Sequence, residues 1–187
     1  MSAAPKLMTA DEFLVWCLDQ EGRWELVGGV PIQMMAGARR RHDQVTTNLI
    51  IALGTRLRGG PCWPTTADIA ARMPNGNVRR PDVTVDCAFK PDDGLDSEDP
   101  AVFFEVLSPS TRRTDLLRKT DEYRRHQTLR HFVTLEPDTP RALVWSRTAE
   151  GDWTYVEVSG LGGALSLDAL EIELPMAEVY NGLSFET

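Results

Sequence analysis

Arg79-Arg80-Pro81-Asp82-Val83-Thr84-Val85 and, further along, Val102-Phe103-Phe104-Glu105-Val106-Leu107 are the two stretches on which the fold of this chain turns. Each holds a carboxylate in or beside an apolar, β-branched segment that reads as a buried strand, and Glu105 follows Asp82 by 23 residues. Strand side chains alternate, so Phe103, Glu105 and Leu107 share one face and Val102, Phe104 and Val106 the other. Pro81 has no N–H and a fixed φ, which suits the first residue of a strand and sets Asp82 at its mouth. A carboxylate in such a strand loses its hydration, at a cost of roughly several kcal/mol unless a cation or donors compensate it. Two of them on nearby strands point to a shared partner, and a hard divalent metal with oxygen ligands fits that description.

The segment after the second strand adds a cation. Asp115, Lys119 and Tyr123 are spaced by four and lie on one face of a helix expected from about 112 to 126. Lys119 could lean over the strand mouth to stabilise an anion or orient a water. Glu25, in another short apolar strand, and His42, at a helix start, are further candidates; the imidazole could bond a phosphate or act on a water. Each residue also has a purely structural reading. Asp82 could cap a turn, and Glu105 could pair with Lys119 or an arginine. Glu25 could sit at a strand edge and His42 beside a helix cap, while Tyr123 could pack in the core with its hydroxyl bonded.

Around these residues the chain alternates strands and helices. Thr9-Ala10-Asp11-Glu12 is a capping box that opens a short helix to about Asp19. Trp24 to Met34 reads as a hairpin turned by Gly28-Gly29. Val45, Leu49, Leu53 and Leu57 recur every four residues and mark a helix over about 42–58. Residues 65–73 read as one strand, turned back by Pro74-Asn75-Gly76-Asn77 into the strand over 83–87. Residues 91–100, with five acidic side chains and two prolines, read as an exposed loop. Strands follow at 131–135, 141–145 and 153–158, and the tail near 161–174 is Gly-rich, then acidic and apolar. The expected class is a mixed α/β (α+β) sheet flanked by helices, with an extra N-terminal hairpin and C-terminal antiparallel strands.

Length and composition set the bounds. The 187 residues suit one domain over 1–187. No apolar run reaches a membrane span and no secretory leader is evident, so a cytoplasmic protein is expected, with no membrane contact. Cys17, Cys62 and Cys87 are odd in number and widely spaced, and read as three reduced thiols. The net charge of −8 argues against a nucleic-acid binder, but it is unevenly placed. Residues 146–187 hold one arginine against eight acidic side chains, whereas 112–125 hold six basic against three acidic, and Arg39-Arg40-Arg41 adds a second basic cluster. A local basic surface is compatible with the acidic total; so is a pair of solvated helix faces.

Pro81-Asp82, the run Glu105-Val106-Leu107-Ser108-Pro109-Ser110-Thr111, and Asp115, Lys119 and Tyr123 resemble the signature of the Uma-type endonucleases, a large bacterial family. Thr9 to Phe13, Trp24 to Gly29 and His42 with its helix match the N-terminal portion, so the resemblance covers nearly the whole chain. That family is assigned to the restriction-endonuclease-like superfamily, whose pattern is PD-(D/E)XK around a mixed sheet. The resemblance implies metal-dependent hydrolysis of phosphodiester bonds, with DNA as the expected substrate. Asp82 and Glu105 would ligate Mg²⁺ or Mn²⁺ with the Val106 carbonyl, and Glu25 would stand near the metal. The lysine slot two residues after Glu105 holds Leu107, so the catalytic lysine falls to Lys119 on the next helix. His42, Arg112, Arg113 and Tyr123 would meet the substrate, the arginines at 39–41, 112 and 113 touching its backbone. A homodimer would suit cleavage of two strands.

Two other readings stay open. The chain could be a nuclease fold without turnover, serving as a binding or regulatory module; Leu107 and the acidic C-terminal third favour this. It could also use its paired carboxylates as acid and base on a small substrate. Trp63, Trp145 and Trp153 would then have to form an aromatic platform, though they read more simply as core and strand-surface residues.

Overall fold

The first helix begins where the sequence requires it. Thr9 Oγ1 accepts the Glu12 amide at 3.2 Å and Glu12 returns a carboxylate to the Thr9 amide at 2.9 Å, so both otherwise orphaned donors are satisfied. A computed structural model describes residues 7–34, 39–87, 93–97, 99–108 and 114–185, with the backbone alone at 114–117.

Helix α1 (Ala10–Cys17) leads into the hairpin β1 (Trp24–Val27) and β2 (Val30–Gln33). Gly28 and Gly29 make its turn with φ of +57° and +79°, where a side chain would be strained. Helix α2 (Arg40–Arg56) precedes β3 (Trp63–Thr66), β4 (Ala70–Arg72), β5 (Val78–Arg79), β6 (Val83–Asp86), β7 (Asp96–Ser97) and β8 (Pro100–Val106). Helix α3 (Thr114–Arg124) and strands β9 (His131–Glu136), β10 (Arg141–Arg147) and β11 (Trp153–Ser159) follow. The chain closes with β12 (Ala164–Leu167), β13 (Ile172–Pro175) and α4 (Met176–Val179).

The strands form a five-stranded sheet ordered β2-β1-β5-β4-β7, a six-stranded sheet ordered β11-β10-β9-β8-β6-β3, and the hairpin β12-β13. The larger sheet is antiparallel except for β8 beside β9, so it is mixed as expected. One face buries Val83, Val85, Val102, Phe104, Val133 and Val144 against the Val45, Leu49 and Leu53 stripe of α2 and the C-terminal Leu174 and Val179. The opposite face buries Phe103 and Phe132 with Tyr123 of α3 and Met73. Glu105 belongs to that second face by the alternation of β8.

Three expectations are corrected. The single strand over 65–73 is broken, with β3 in the large sheet and β4 in the small one. The break is fixed by Arg80, whose guanidinium donates to the Ala67 and Asp68 carbonyls at 3.1 and 2.5 Å. The acidic loop contributes β7, two residues that run parallel to β4. Cys62 and Cys87 are not free thiols: they are joined in a disulfide, and among the described residues Cys17 alone is free. The antiparallel register that pairs Trp63 with Asp86 brings the flanking cysteines face to face, 4.0 Å apart at Cα. A separation of 25 residues concealed that pairing in the sequence.

Candidate active site

Asp82 and Glu105 meet because β6 and β8 are antiparallel neighbours. Val83 pairs with Phe104, so the next step outward sets Asp82 opposite Glu105 on one face. The Val106 amide donates to Asp82 Oδ2 at 2.7 Å, which fixes the carboxylate at the strand mouth. His42, in the first turn of α2, brings Nε2 to 3.3 Å from the same oxygen. Burial works to lower the His42 pKa, but the Asp82 hydrogen bond and charge, Glu105 and a backbone bond to Val106 raise it overall.

Glu105 is covered by α3. The Tyr123 hydroxyl donates to Oε1 at 2.6 Å, and Lys119 Nζ lies 3.2 Å from that oxygen. The one-turn spacing of Lys119 and Tyr123 lets both side chains reach one carboxylate. Burial pushes the Glu105 carboxyl up, Lys119 opposes it, and the Asp82 and Glu25 charges add to the rise, which reaches about 7. Tyr123 is wholly buried, and burial together with Glu105 raises its pKa well above the ordinary range. This residue, expected at the substrate, has its hydroxyl on Glu105.

Glu25 arrives from the small sheet. Lys119 Nζ stands 3.3 Å from Oε1, the Arg80 amide donates to that oxygen at 3.3 Å, and Arg79 donates to Oε2 at 2.8 Å. Both oxygens of Glu25 therefore have donors. Arg79 also holds Glu122 through Nε at 2.7 Å and a second nitrogen at 3.0 Å, while Asn77 donates to Glu122 at 2.7 Å. Burial alone would raise the Glu122 carboxyl; the Arg79 and Asn77 bonds more than offset it and hold it below its usual range. Sequence reasoning missed Arg79, Glu122 and Asn77 as members of this network. The available signal was an arginine inside an apolar strand stretch, which needs an anion wherever it is buried.

The donor set suits a hard cation. Glu25, Asp82, Glu105 and Glu122 gather around the buried Arg79 and Lys119, which leaves an excess of negative charge. Among the described residues, Asp82 Oδ1 and Glu105 Oε2 receive no hydrogen bond, and both side chains keep some exposure, at 20% and 12%. No group of three or more acidic, histidine or cysteine side chains among the described residues forms a ready-made metal cage. Two carboxylates and a carbonyl are the sparse all-oxygen set that Mg²⁺ uses while keeping several waters.

The expected basic contacts divide. Arg112 and Arg113 and the side chain of Asp115 lie outside the described residues. Arg41 is used structurally: it donates to the Pro137 and Ser184 carbonyls at 3.1 and 2.8 Å and its guanidinium lies 4.9 Å over the Phe185 ring. Arg39 approaches Asp138 at 3.8 Å, and both side chains are largely in solvent. These two contacts tie α2 to the β9–β10 turn and the C-terminal tail, which is where the basic cluster was expected to meet nucleic acid.

Comparison with known proteins agrees with this frame. A family model, Uma2, described as "Putative restriction endonuclease", matches residues 10–177. An uncharacterized Synechocystis protein, slr1290, is 26% identical over 185 residues, covering 97% of this chain and 95% of its own length. A crystal structure of an Anabaena variabilis protein described as "a putative nuclease belonging to DUF820" superposes with a TM-score of 0.73 at 14% identity, over 92% of this chain and 97% of that one. At that identity the likeness speaks for the fold, which is the mixed sheet with flanking helices expected from the sequence.

Proposed function

Because the chain belongs to the Uma2 family of restriction-endonuclease-like proteins, we propose that it is an endonuclease that hydrolyses phosphodiester bonds in DNA with Mg²⁺ or Mn²⁺. The observation that carries this reading is the meeting of Asp82 and Glu105 on adjacent strands, with Lys119 at 3.2 Å from Glu105. Asp82 and Glu105, with the Val106 carbonyl, would hold the metal. When bound, such an ion supplies Lewis-acid activation of water and neutralises charge on the scissile phosphate.

The remaining roles belong to the chain itself. Lys119 holds a positive charge beside the strand mouth, where it stabilises negative charge that grows on the phosphate. Glu25 and Glu105 keep that ammonium in place from two sides. Tyr123 orients Glu105, and His42 orients Asp82 and can present its ring to a phosphate. Arg112 and Arg113 would bind the nucleic-acid backbone. The span 1–187 acts as one domain in this reading, located in the cytoplasm, and a homodimer would supply two sites for a double-strand cut.

The test is nicking of supercoiled plasmid by pure protein with Mg²⁺ or Mn²⁺, beside identically purified Asp82→Ala. Cleavage by the wild type and none by the variant is the expected result. Absence of cleavage in a wild type that still binds metal would favour a silent nuclease-fold module. Equal cleavage by both proteins would expose a contaminant.

A further inference from the structure

Trp145 and Trp153 have no part in the chemistry above, yet they project from the sheet face that bears Glu105. Across the strands Phe103 lies beside Phe132, Phe132 beside Trp145, and Trp145 beside Tyr155, while Arg147 faces Trp153. Helix α3 covers the inner end of this row, with the Tyr123 ring 4.7 Å from Phe103 and 5.1 Å from Phe132. The outer end is open. Tyr155 is 59% exposed and leans on Trp145 with ring centroids 4.7 Å apart at 37°. Arg124, exposed at the end of α3, lies 5.5 Å over the Trp145 ring, and Arg147 lies 5.0 Å over Trp153.

We infer that this shelf of Tyr155, Trp145, Trp153, Arg124 and Arg147 is a second nucleic-acid contact, a stacking platform for unpaired bases of the strand held at Asp82 and Glu105. The inference rests on the proposed nuclease reading for the nature of the partner. Aromatic faces stack on any base, and guanidinium groups beside them meet phosphates, which gives grip without sequence reading. The shelf is cationic: Arg124 and Arg147 lie over its indoles, and although Arg147 already donates to the Arg124 and His126 carbonyls at 3.0 and 2.5 Å, its partial burial and the nearby Arg130 both disfavour its charge, which an anion would offset. Glu157, the neighbouring acid on this face, is already held by Arg141 at 2.6 Å. Three strand spacings and one pleat repeat separate Tyr155 from Glu105, about 16 Å on the sheet, with α3 lying between them, so a strand that passes over α3 reaches both.

In a purely structural role Arg147 and Trp153 would only close the end of α3, donating to the Arg124 carbonyl at 3.0 and 3.1 Å, and Arg124 would only shield Trp145. A second copy of the chain could instead add to the edge strand β11, where Val156 is 64% exposed. Fluorescence-anisotropy titration of a short labelled oligothymidylate, and of a duplex of equal length, separates these in the presence of chelator. The proteins are the wild type, Tyr155→Ala, Tyr155→Phe and Arg124→Gln, each checked by circular dichroism and sedimentation velocity. Tyr155→Ala is expected to weaken single-strand binding about tenfold while Tyr155→Phe keeps it and duplex binding changes little. Arg124→Gln is expected to weaken the single strand as well. Single-strand binding by Tyr155→Ala within twofold of wild type overturns the shelf and leaves the nuclease reading standing. A wild-type dimer that Tyr155→Ala turns into a monomer assigns the surface to a second copy and overturns it too. A wild type that binds neither oligonucleotide in chelator overturns the shelf and leaves the nuclease reading to the plasmid test with metal.

Discussion

Arg79 donates to Glu25 across 2.8 Å, with only 3% and 9% of the two side chains exposed. The pair ties together two neighbouring strands of the small sheet, β1 and β5, at the candidate site. Glu25 belongs to the small sheet, and its other oxygen is 3.3 Å from Lys119, whose ammonium is 3.2 Å from Glu105 of the large sheet. Glu122, Arg79, Glu25, Lys119 and Glu105 thus form a chain of alternating charge from α3 through the small sheet and back to the metal-ligand candidates. Each member is desolvated, so its position depends on the next.

Replacing Arg79 tests that dependence. Arg79→Met leaves Glu25 and Glu122 buried without their shared cation, and a loss of about 3–5 kcal/mol is expected, because a stranded buried charge costs more than a missing pair. Urea unfolding of the variant and the wild type reads this directly. A loss below about 1 kcal/mol would mean that water or Lys119 takes over, and the network would be no more than adjacent pairs.

Lys119 carries the proposed electrostatic role. Lys119→Met is expected to cut plasmid cleavage by about 100-fold or more, in the range seen when one preorganised charge is removed from a transition state. Isothermal titration with Mn²⁺ should show that the metal still binds, since Asp82 and Glu105 remain. Undiminished cleavage would pass the role to another cation.

Much of this arrangement was legible because it is local or set by alternation. Glu105 stood out as a lone charge among apolar neighbours, and Lys119 and Tyr123 are one helical turn apart, so strand and helix periodicity alone bring them together. The partition of 63–86 between two sheets was not legible. It depends on Arg80 reaching the Ala67 and Asp68 carbonyls, a tertiary contact with no periodic trace. Arg79 was visible as a residue but not as a member of the site, because its partners Glu25 and Glu122 are 54 and 43 positions away. The cysteine pairing failed for the same reason: it follows from a strand register.

The disulfide makes a separate prediction. Closing a loop of 25 residues between Cys62 and Cys87 removes chain entropy from the unfolded state, which the loop-closure relation puts at about 3.5 kcal/mol. Melting of oxidised protein with and without reductant is the check, with Cys62→Ser expected to match the reduced curve. Coincident melting curves for oxidised and reduced protein would show that the bond adds nothing to the fold.

Stability should also fall in mild acid through two histidines, His131 buried and His126 partly so. Burial lowers the pKa of His131, despite Asp168 at 2.7 Å, because that carboxylate is 85% exposed and screened by water. Burial likewise lowers His126, to which Arg147 adds. Below about pH 6.5 the unfolded chain therefore takes up protons that the folded chain refuses, and the folded state loses stability until the depressed pKa is passed. Glu105, raised to about 7, has the opposite slope and gains stability as pH falls. Comparing wild type with His131→Gln cancels that contribution and the one from His42. The stability gap between the two proteins, read by urea midpoints from neutral pH downward in chelator, is expected to narrow as pH falls. Parallel curves across that range would mean that burial and Asp168 cancel at His131, and a gap that widens as pH falls would mean that Asp168, not burial, sets its charge.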